Sequence, residues 1–175
     1  TPLALTAALV FAFNHGIAKS AMLMLAGYVA SRASVKSAAF DIVTGVGRPL
    51  PLAGALFLVG SLGLAGIPPT SGFISKMLVF KSGIAGQELG ALLLIGLAST
   101  LTLVYTMRAF MHIWWEAPAE GITTKPAGDR LYAPALLIGL VLGLGIFAEP
   151  LVAISQEATR WLARPEVYIQ AVLGP

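Results

Sequence analysis

The stretch GLAGIPPTSGFISK, residues 63–76, places two adjacent prolines, three glycines and a lysine at the end of a long uncharged segment. Proline lacks a backbone N–H and clashes with the preceding helical turn, and the residue before a proline avoids the helical region. A helix through this stretch is therefore predicted to break at GIPP, residues 66–69. Because no charge occurs in the 27 residues from Pro49 to Ser75, we expect the break to lie at membrane depth.

The composition indicates a membrane protein. The 175 residues are 57% hydrophobic and 11% charged, whereas about a quarter of the residues of soluble domains are charged. The absence of cysteine excludes disulfides and thiolate metal sites, and two histidines without clustered carboxylates predict neither a metal site nor a cofactor. The net charge of +3 comes from scattered basic residues. This pattern excludes a nucleic-acid-binding patch and leaves the lipid bilayer as the expected surrounding.

The uncharged stretches predict an all-α, polytopic transmembrane helical bundle. A bilayer core of roughly 30 Å needs about 20 apolar residues as a helix, and soluble bundles would need polar helix faces that are missing here. The second of four predicted crossings contains the break and is discontinuous. The predicted spans are residues 2–30, 51–85, 89–115 and 131–150, with an amphipathic segment at 151–163 and a C-terminal tail at 164–175.

The charges of the loops predict the orientation of the chain. With alternating crossings, the loops 31–49 and 116–130 fall on one side of the membrane. These loops carry Arg32, Lys36, Arg48, Lys125 and Arg130. By the positive-inside rule this side is cytoplasmic, which places Thr1 and the C-terminal tail outside. Arg160 and Arg164 near the end reduce the difference in positive charge between the two sides.

Lys76 is the candidate functional residue at the break. Irregular backbone at membrane depth is tolerated where protein buries it or water lines it, and freed carbonyls at a half-helix end favour a cation. Burial disfavours the charged form of an ammonium group, so a buried Lys76 would exchange protons near neutral pH. The alternative is a lysine that extends to the headgroups. The long uncharged segment before Lys76 favours burial.

A second pair of candidates lies in FNHGIAKSAMLMLAG, residues 13–27. His15 and Lys19 are four residues apart and share one helical face, which predicts a proton relay with histidine as its near-neutral member. The alternative is that Lys19 anchors a helix end and His15 bonds a carbonyl. Further along, Arg108 and His112 are interpreted as interface anchors beside an aromatic belt at Trp114 and Trp115. No catalytic triad or phosphate-binding loop occurs, so hydrolase or nucleotide chemistry is not predicted.

These motifs resemble those of a known superfamily. FNHGIAKSAMLMLAGYV, from residue 13, is similar to the His/Lys helix of the antiporter-like subunits of respiratory complex I and of the Mrp-type multisubunit cation/proton antiporters. GLAGIPPTSGFISKMLVFKSGI, from residue 63, resembles their discontinuous helix, and DIVTGVGRPLP, from residue 41, resembles the loop between the two. The tail RPEVYIQAVLGP, from residue 164, is similar to that of the D-type subunits of the Mrp antiporters.

The resemblance implies roles for individual residues. It makes Lys76 the terminal element of a hydrated proton path and places Lys19 and His15 on the helix that relays protons along the membrane midplane. Four residues match the break itself: Gly66, Pro68, Pro69 and Gly72. The resemblance also implies that the chain is the C-terminal third or so of a longer subunit, whose earlier glutamate/lysine pair is absent here.

The function implied is antiport of a monovalent cation, expected to be Na⁺, against protons, by one subunit of a multisubunit complex in the bacterial plasma membrane. The alternative is a proton-pumping membrane subunit of an NADH-quinone oxidoreductase, in which quinone reduction supplies the energy. A third possibility is a membrane scaffold whose charged residues do not take part in transport. Other subunits of the same complex are the expected protein partners.

Overall fold

The computed structural model describes residues 1–35, 37, 39–118 and 120–174. Within these residues the chain is helical, with one isolated backbone bridge between Ala33 and Thr124 and no strand. The all-α prediction is confirmed. The helices are α1 (Pro2–Arg32), α2 (Pro51–Ala65), α3 (Ser71–Ala85), α4 (Leu89–Phe110) with a π-helical turn (Met111–Trp115), α5 (Tyr132–Ile146), α6 (Glu149–Leu162) and α7 (Pro165–Leu173).

In the described part of the chain, two continuous helices have the length and hydropathy of membrane spans: α1 and the helix from Leu89 to Trp115. The second predicted crossing is divided into α2 and α3 by residues 66–70, so the predicted discontinuous helix is confirmed. The C-terminal tail, residues 164–175, contains α7.

The fourth crossing differs from its prediction as a span over 131–150. α5 ends at Ile146, and α6 begins at Glu149 after a bend of 80°. Pro150 explains the bend, because its ring would clash with the carbonyl of Ile146, four residues earlier, if the helix continued. α6 is amphipathic: it buries Ser155 and Thr159 and exposes Ile154 and Trp161.

α1 forms the centre of the bundle and contacts α2, α3, α5 and α6. Small residues allow the helices to approach closely. A side chain at Gly60 would meet Met22 of α1 and Ile138 of α5, and one at Gly63 would lie 2.9 Å from Val141. At the end of α5, a side chain at Gly145 would collide with the carbonyl of Pro69. α5 therefore packs along α2 and ends at the depth of the helix break.

The two basic loops lie together at one end of the bundle. Ser34 N donates to Thr123 O at 2.9 Å, and Lys125 N donates to Arg32 O at 2.7 Å. The Arg32 guanidinium also donates to the carbonyls of Pro126 and Asp129. The two loops are therefore neighbours, as the alternating crossings require.

α6 lies at the opposite end of the bundle. The hydroxyls of Thr159 and Thr6 are hydrogen-bonded at 3.0 Å, which places α6 beside the start of α1. The start of the chain and α6 therefore lie at the same end, away from the two basic loops.

The prediction that Trp114 belongs to an interfacial belt was wrong. Trp114 is 8% exposed and donates from Nε1 to Leu50 O at 3.1 Å, whereas Trp115 is 64% exposed. The Trp114 ring occupies space that two glycines leave open, since a Cβ at Gly47 or Gly54 would lie within 2.8 Å of it. Trp114 thus belongs to the core.

His112 connects the first basic loop to the end of α4. Its Nδ1 lies 2.7 Å from a Glu116 carboxylate oxygen, and its Nε2 lies 2.7 Å from the Thr44 hydroxyl. The π-helical turn exposes the carbonyls of His112 and Ile113, which accept hydrogen bonds from Gly45 N and Gly47 N, each at 3.0 Å.

Candidate functional site

The two prolines of the break each leave one helical carbonyl without its usual donor. In a continuous helix the carbonyls of Leu64 and Ala65 would accept from the N–H groups four residues later, but those positions are Pro68 and Pro69, which have no N–H. Gly66 ends α2 in the left-handed conformation, with φ of +80°, and its N–H donates to Leu62 O. Two adjacent carbonyls at the end of α2 are thereby left without their helical donors.

The Lys76 ammonium group donates a hydrogen bond to each of these two carbonyls. Its Nζ lies 3.0 Å from Leu64 O and 2.7 Å from Ala65 O. The aliphatic part of the side chain passes over Gly66, where any Cβ would collide with Lys76 Cδ. The partial negative charge of a half-helix end favours a cation at this position, and Lys76 is the cation that α3 supplies.

Ser99 of α4 completes the surroundings of the lysine. Lys76 Nζ donates to Ser99 Oγ at 2.7 Å, and Ser99 Oγ in turn donates to Ile95 O at 2.8 Å. All three donors of the ammonium group therefore have acceptors. Ser99 was not among the site residues predicted from the sequence. The sequence around Ser99 shows only a hydroxyl within the apolar α4, and no neighbouring residue relates that hydroxyl to Lys76.

A half-enclosed cavity of about 400 Å³ lies beside this cluster. Most of its lining is apolar, and its polar groups come from His15, Lys76, Ser99 and Thr102. The His15 ring stacks on Phe11, with ring centroids 5.2 Å apart. The tertiary structure thus brings His15 of α1 and Lys76 of α3 to one cavity.

Lys19, unlike His15, does not face the cavity. It lies one helical turn further along α1, and its side chain is exposed on this chain. The lining of the cavity does not include it. Of the three titratable residues that the sequence singled out, two therefore face the cavity together and the third faces outward.

Asn14 is a further polar residue at the break, and it was not predicted from the sequence. It is 2% exposed, and its Nδ2 donates to Ser71 O at 3.1 Å, which ties α1 to the first turn of α3. A signal for it exists in the sequence, because an amide in an otherwise apolar membrane helix is expensive and tends to face the bundle interior.

The glycine at position 72 lets the two half-helices touch. A Cβ at Gly72 would collide with the carbonyl oxygen of Gly63 in α2. The hydroxyl of Thr70 donates to Ile67 O at 2.7 Å and stabilises the irregular segment between the half-helices. No group of three or more metal-ligating side chains occurs in the described part of the chain.

Known proteins of two kinds are similar to this chain in sequence. The sequence model of the family described as "NADH:quinone oxidoreductase/Mrp antiporter, TM" matches residues 1–102. The D-type subunit of the Na(+)/H(+) antiporter of Bacillus subtilis is 35% identical over 99% of this chain and 35% of its own length. The N-type subunit of the F(420)H(2) dehydrogenase of Methanosarcina mazei is 35% identical over 90% of this chain and 34% of its own length.

Among solved structures, a chain of the Mrp complex from Dietzia sp. DQ12-45-1b superposes with a TM-score of 0.79 over 99% of this chain and 40% of that chain. At 24% identity this likeness concerns the fold. The chain spans about a third of the length of the curated relatives it matches. The family match covers more than half of the chain and includes α1, the helix break and Lys76. The chain therefore belongs to the transmembrane family shared by NADH:quinone oxidoreductases and Mrp antiporters.

Proposed function

We propose that this chain is one of the proton-handling parts of a subunit that exchanges a monovalent cation, Na⁺, for protons within a multisubunit membrane complex. One observation carries the proposal: Lys76 Nζ is held at the helix break by two carbonyls and the Ser99 hydroxyl, and it shares a cavity with His15. Relatives named as Na(+)/H(+) antiporter subunits support the exchange of Na⁺ and H⁺.

In this proposal Lys76 gains and loses a proton at a fixed position. The protonated amine is stabilised by the dipoles of Leu64 O and Ala65 O, because the half-helix end places partial negative charge there. Release of the proton leaves a neutral amine with a lone pair, which then accepts a proton through the cavity it shares with His15. Neutral imidazole accepts at one nitrogen and donates at the other, so His15 is suited to pass protons on.

Lys19 extends the relay along α1 in this scheme. It lies one helical turn from His15, and in the complex its exposed side chain would face other parts of the same subunit or a neighbouring subunit. A positive charge on one member disfavours a positive charge on the next where solvation is poor. Protons would therefore move along the row of basic groups in sequence, and entry of the cation would be coupled to their release.

The second candidate function is proton pumping driven by a redox reaction. It is favoured by the relatives named as N-type subunits of F(420)H(2) dehydrogenase and of NADH-quinone oxidoreductase. In such a complex the same Lys76 site would operate, and the electron-transfer subunits would supply the energy.

The experiment that separates these functions uses inverted vesicles that contain the full complex and a pre-formed pH gradient. We expect Na⁺ to collapse the gradient without NADH or another reductant, and vesicles from a strain without this subunit to show no collapse. Li⁺ and K⁺, added in parallel, define the cation preference. A gradient that responds only when a reductant is supplied would contradict antiport and support the redox pump.

We also propose that the protein is located in the bacterial plasma membrane, with α7 outside. In a cysteine-free full-length background, Gln170→Cys in α7 is expected to react with an impermeant maleimide in intact cells. Ala127→Cys in the second basic loop is the matched control, and we expect it to react only after permeabilisation. Both positions are exposed, so accessibility reports membrane side. The reverse labelling pattern would show the opposite orientation.

A further inference from the structure

The buried amide of Asn14 has one hydrogen-bonding atom without a partner. Its Nδ2 donates to Ser71 O at 3.1 Å. Because a carbonyl can only accept, the amide orientation is set and Oδ1 must point elsewhere. That oxygen is buried and receives no hydrogen bond from any described residue. Native proteins rarely leave such an atom unpaired.

A small cavity adjoins this amide. Its volume is about 10 Å³, close to the volume that a single water molecule needs. The polar side chains in its lining are those of Asn14, His15, Ser75 and Lys76. His15 and Lys76 also line the larger cavity, so the small cavity connects Asn14 to the groups that the proposed function uses.

Ser75 is oriented so that its oxygen remains available as an acceptor. Its hydroxyl proton is directed to the carbonyls of Ser71 and Gly72, each 3.1 Å away. A water in the small cavity would thus find two acceptors for its protons, Asn14 Oδ1 and Ser75 Oγ. Its lone pairs would then be free to accept from His15, because all three donors of protonated Lys76 already have acceptors. When Lys76 is neutral, the water would turn one proton from Ser75 Oγ to the Nζ lone pair and keep its bond to Asn14 Oδ1.

We propose that Asn14 is a positioning residue that binds one water molecule at the helix break, and that this water bridges Lys76 and His15. The inference rests on the proposed function, because it gives the proton path a specific carrier between α3 and α1. Asn14 acts by orienting the water through Oδ1, while its Nδ2 secures the first turn of α3.

Two substitutions separate water binding from the bond to Ser71. Asn14→Leu and Asn14→Ala both lose that bond, but leucine excludes water with an apolar side chain of similar size, whereas alanine leaves room for it. At equal assembly we expect Asn14→Leu to slow Na⁺-induced collapse of the pH gradient by about tenfold, the upper end of what one uncharged hydrogen bond contributes. We expect Asn14→Ala to stay within about threefold of wild type, because water replaces the amide oxygen. Equal loss in both variants would overturn the water-binding role.

A direct measurement covers the case in which Asn14→Leu does not assemble. A high-resolution electron cryomicroscopy map of the wild-type complex is expected to show a water oxygen about 2.6–3.2 Å from Asn14 Oδ1. A map that resolves other buried waters but none here would overturn the proposal. This measurement does not depend on transport. If Lys76 proved unnecessary for exchange, the proposed function would fail while the water site would still be tested.

Discussion

Substitution of Lys76 by methionine is expected to lower Na⁺-induced proton exchange at least about 100-fold, within the range that positioned acid–base groups contribute. Methionine preserves much of the aliphatic length but cannot carry a proton. It also leaves the Leu64 and Ala65 carbonyls and the Ser99 hydroxyl without the donor that the structure provides. The measurement is the rate at which Na⁺ collapses a pre-formed pH gradient in inverted vesicles, normalised to the amount of assembled complex.

Lys81→Met is the matched control for this prediction. Lys81 lies five residues further along the same helix and is exposed, so the identical substitution should leave exchange unchanged. Lys76→Arg then distinguishes proton transfer from a purely structural charge, because a guanidinium stays protonated in proteins. If Lys76 exchanges protons, the assembled arginine variant is as inactive as the methionine variant. Full exchange with arginine would show that Lys76 serves only as a fixed cation.

The Gly72→Ala substitution is expected to destabilise the protein by about 3 kcal/mol, at the upper end of the usual cost of overpacking a core. The added methyl group would collide with the Gly63 carbonyl oxygen, and a backbone atom inside a helix cannot move aside as a flexible side chain can. The two half-helices must then separate, which also shifts the carbonyls that hold Lys76. We expect a lower melting temperature of the purified complex and less assembled subunit in the membrane.

Gly96→Ala provides the control for the glycine at the break. Gly96 lies within α4, and a Cβ there would have no neighbour within 4 Å. Alanine has the higher helix propensity, so this variant should be as stable as wild type or slightly more stable. Equal melting temperatures for Gly72→Ala and Gly96→Ala would mean that the half-helices are not in close contact at position 72.

The position of the break was predictable because its cause is local. Pro68 and Pro69 lack the donor that a helix requires, whatever surrounds them, and the uncharged segment before Lys76 indicated its depth. The bend after α5 has an equally local cause at Pro150. Nevertheless, that crossing was predicted to extend to residue 150, because its end was judged by the absence of charge rather than by the clash with Ile146.

The arrangement around Lys76 was only partly predictable. That a cation would neutralise the freed carbonyls followed from the helix dipole, and His15 was a candidate because of its residue type. Ser99 is 23 residues from Lys76 along the chain, and Asn14 is 57 residues from Ser71. Single hydroxyls and amides are common, so no pattern in the sequence relates either residue to the break.

By itself, the sequence determined the membrane-helical fold, the discontinuous crossing and the lysine beside it, because composition, hydropathy and the chemistry of proline act within a few residues of one another. The tertiary structure alone decided that His15 and Lys76 share a cavity while Lys19 is exposed, that Trp114 is buried, and that Asn14 is directed at the break. Those outcomes depend on how close the helices approach, which small residues on opposing helices set jointly. The surroundings of a side chain in a helical bundle therefore depend on several helices together and not only on the helix that carries it.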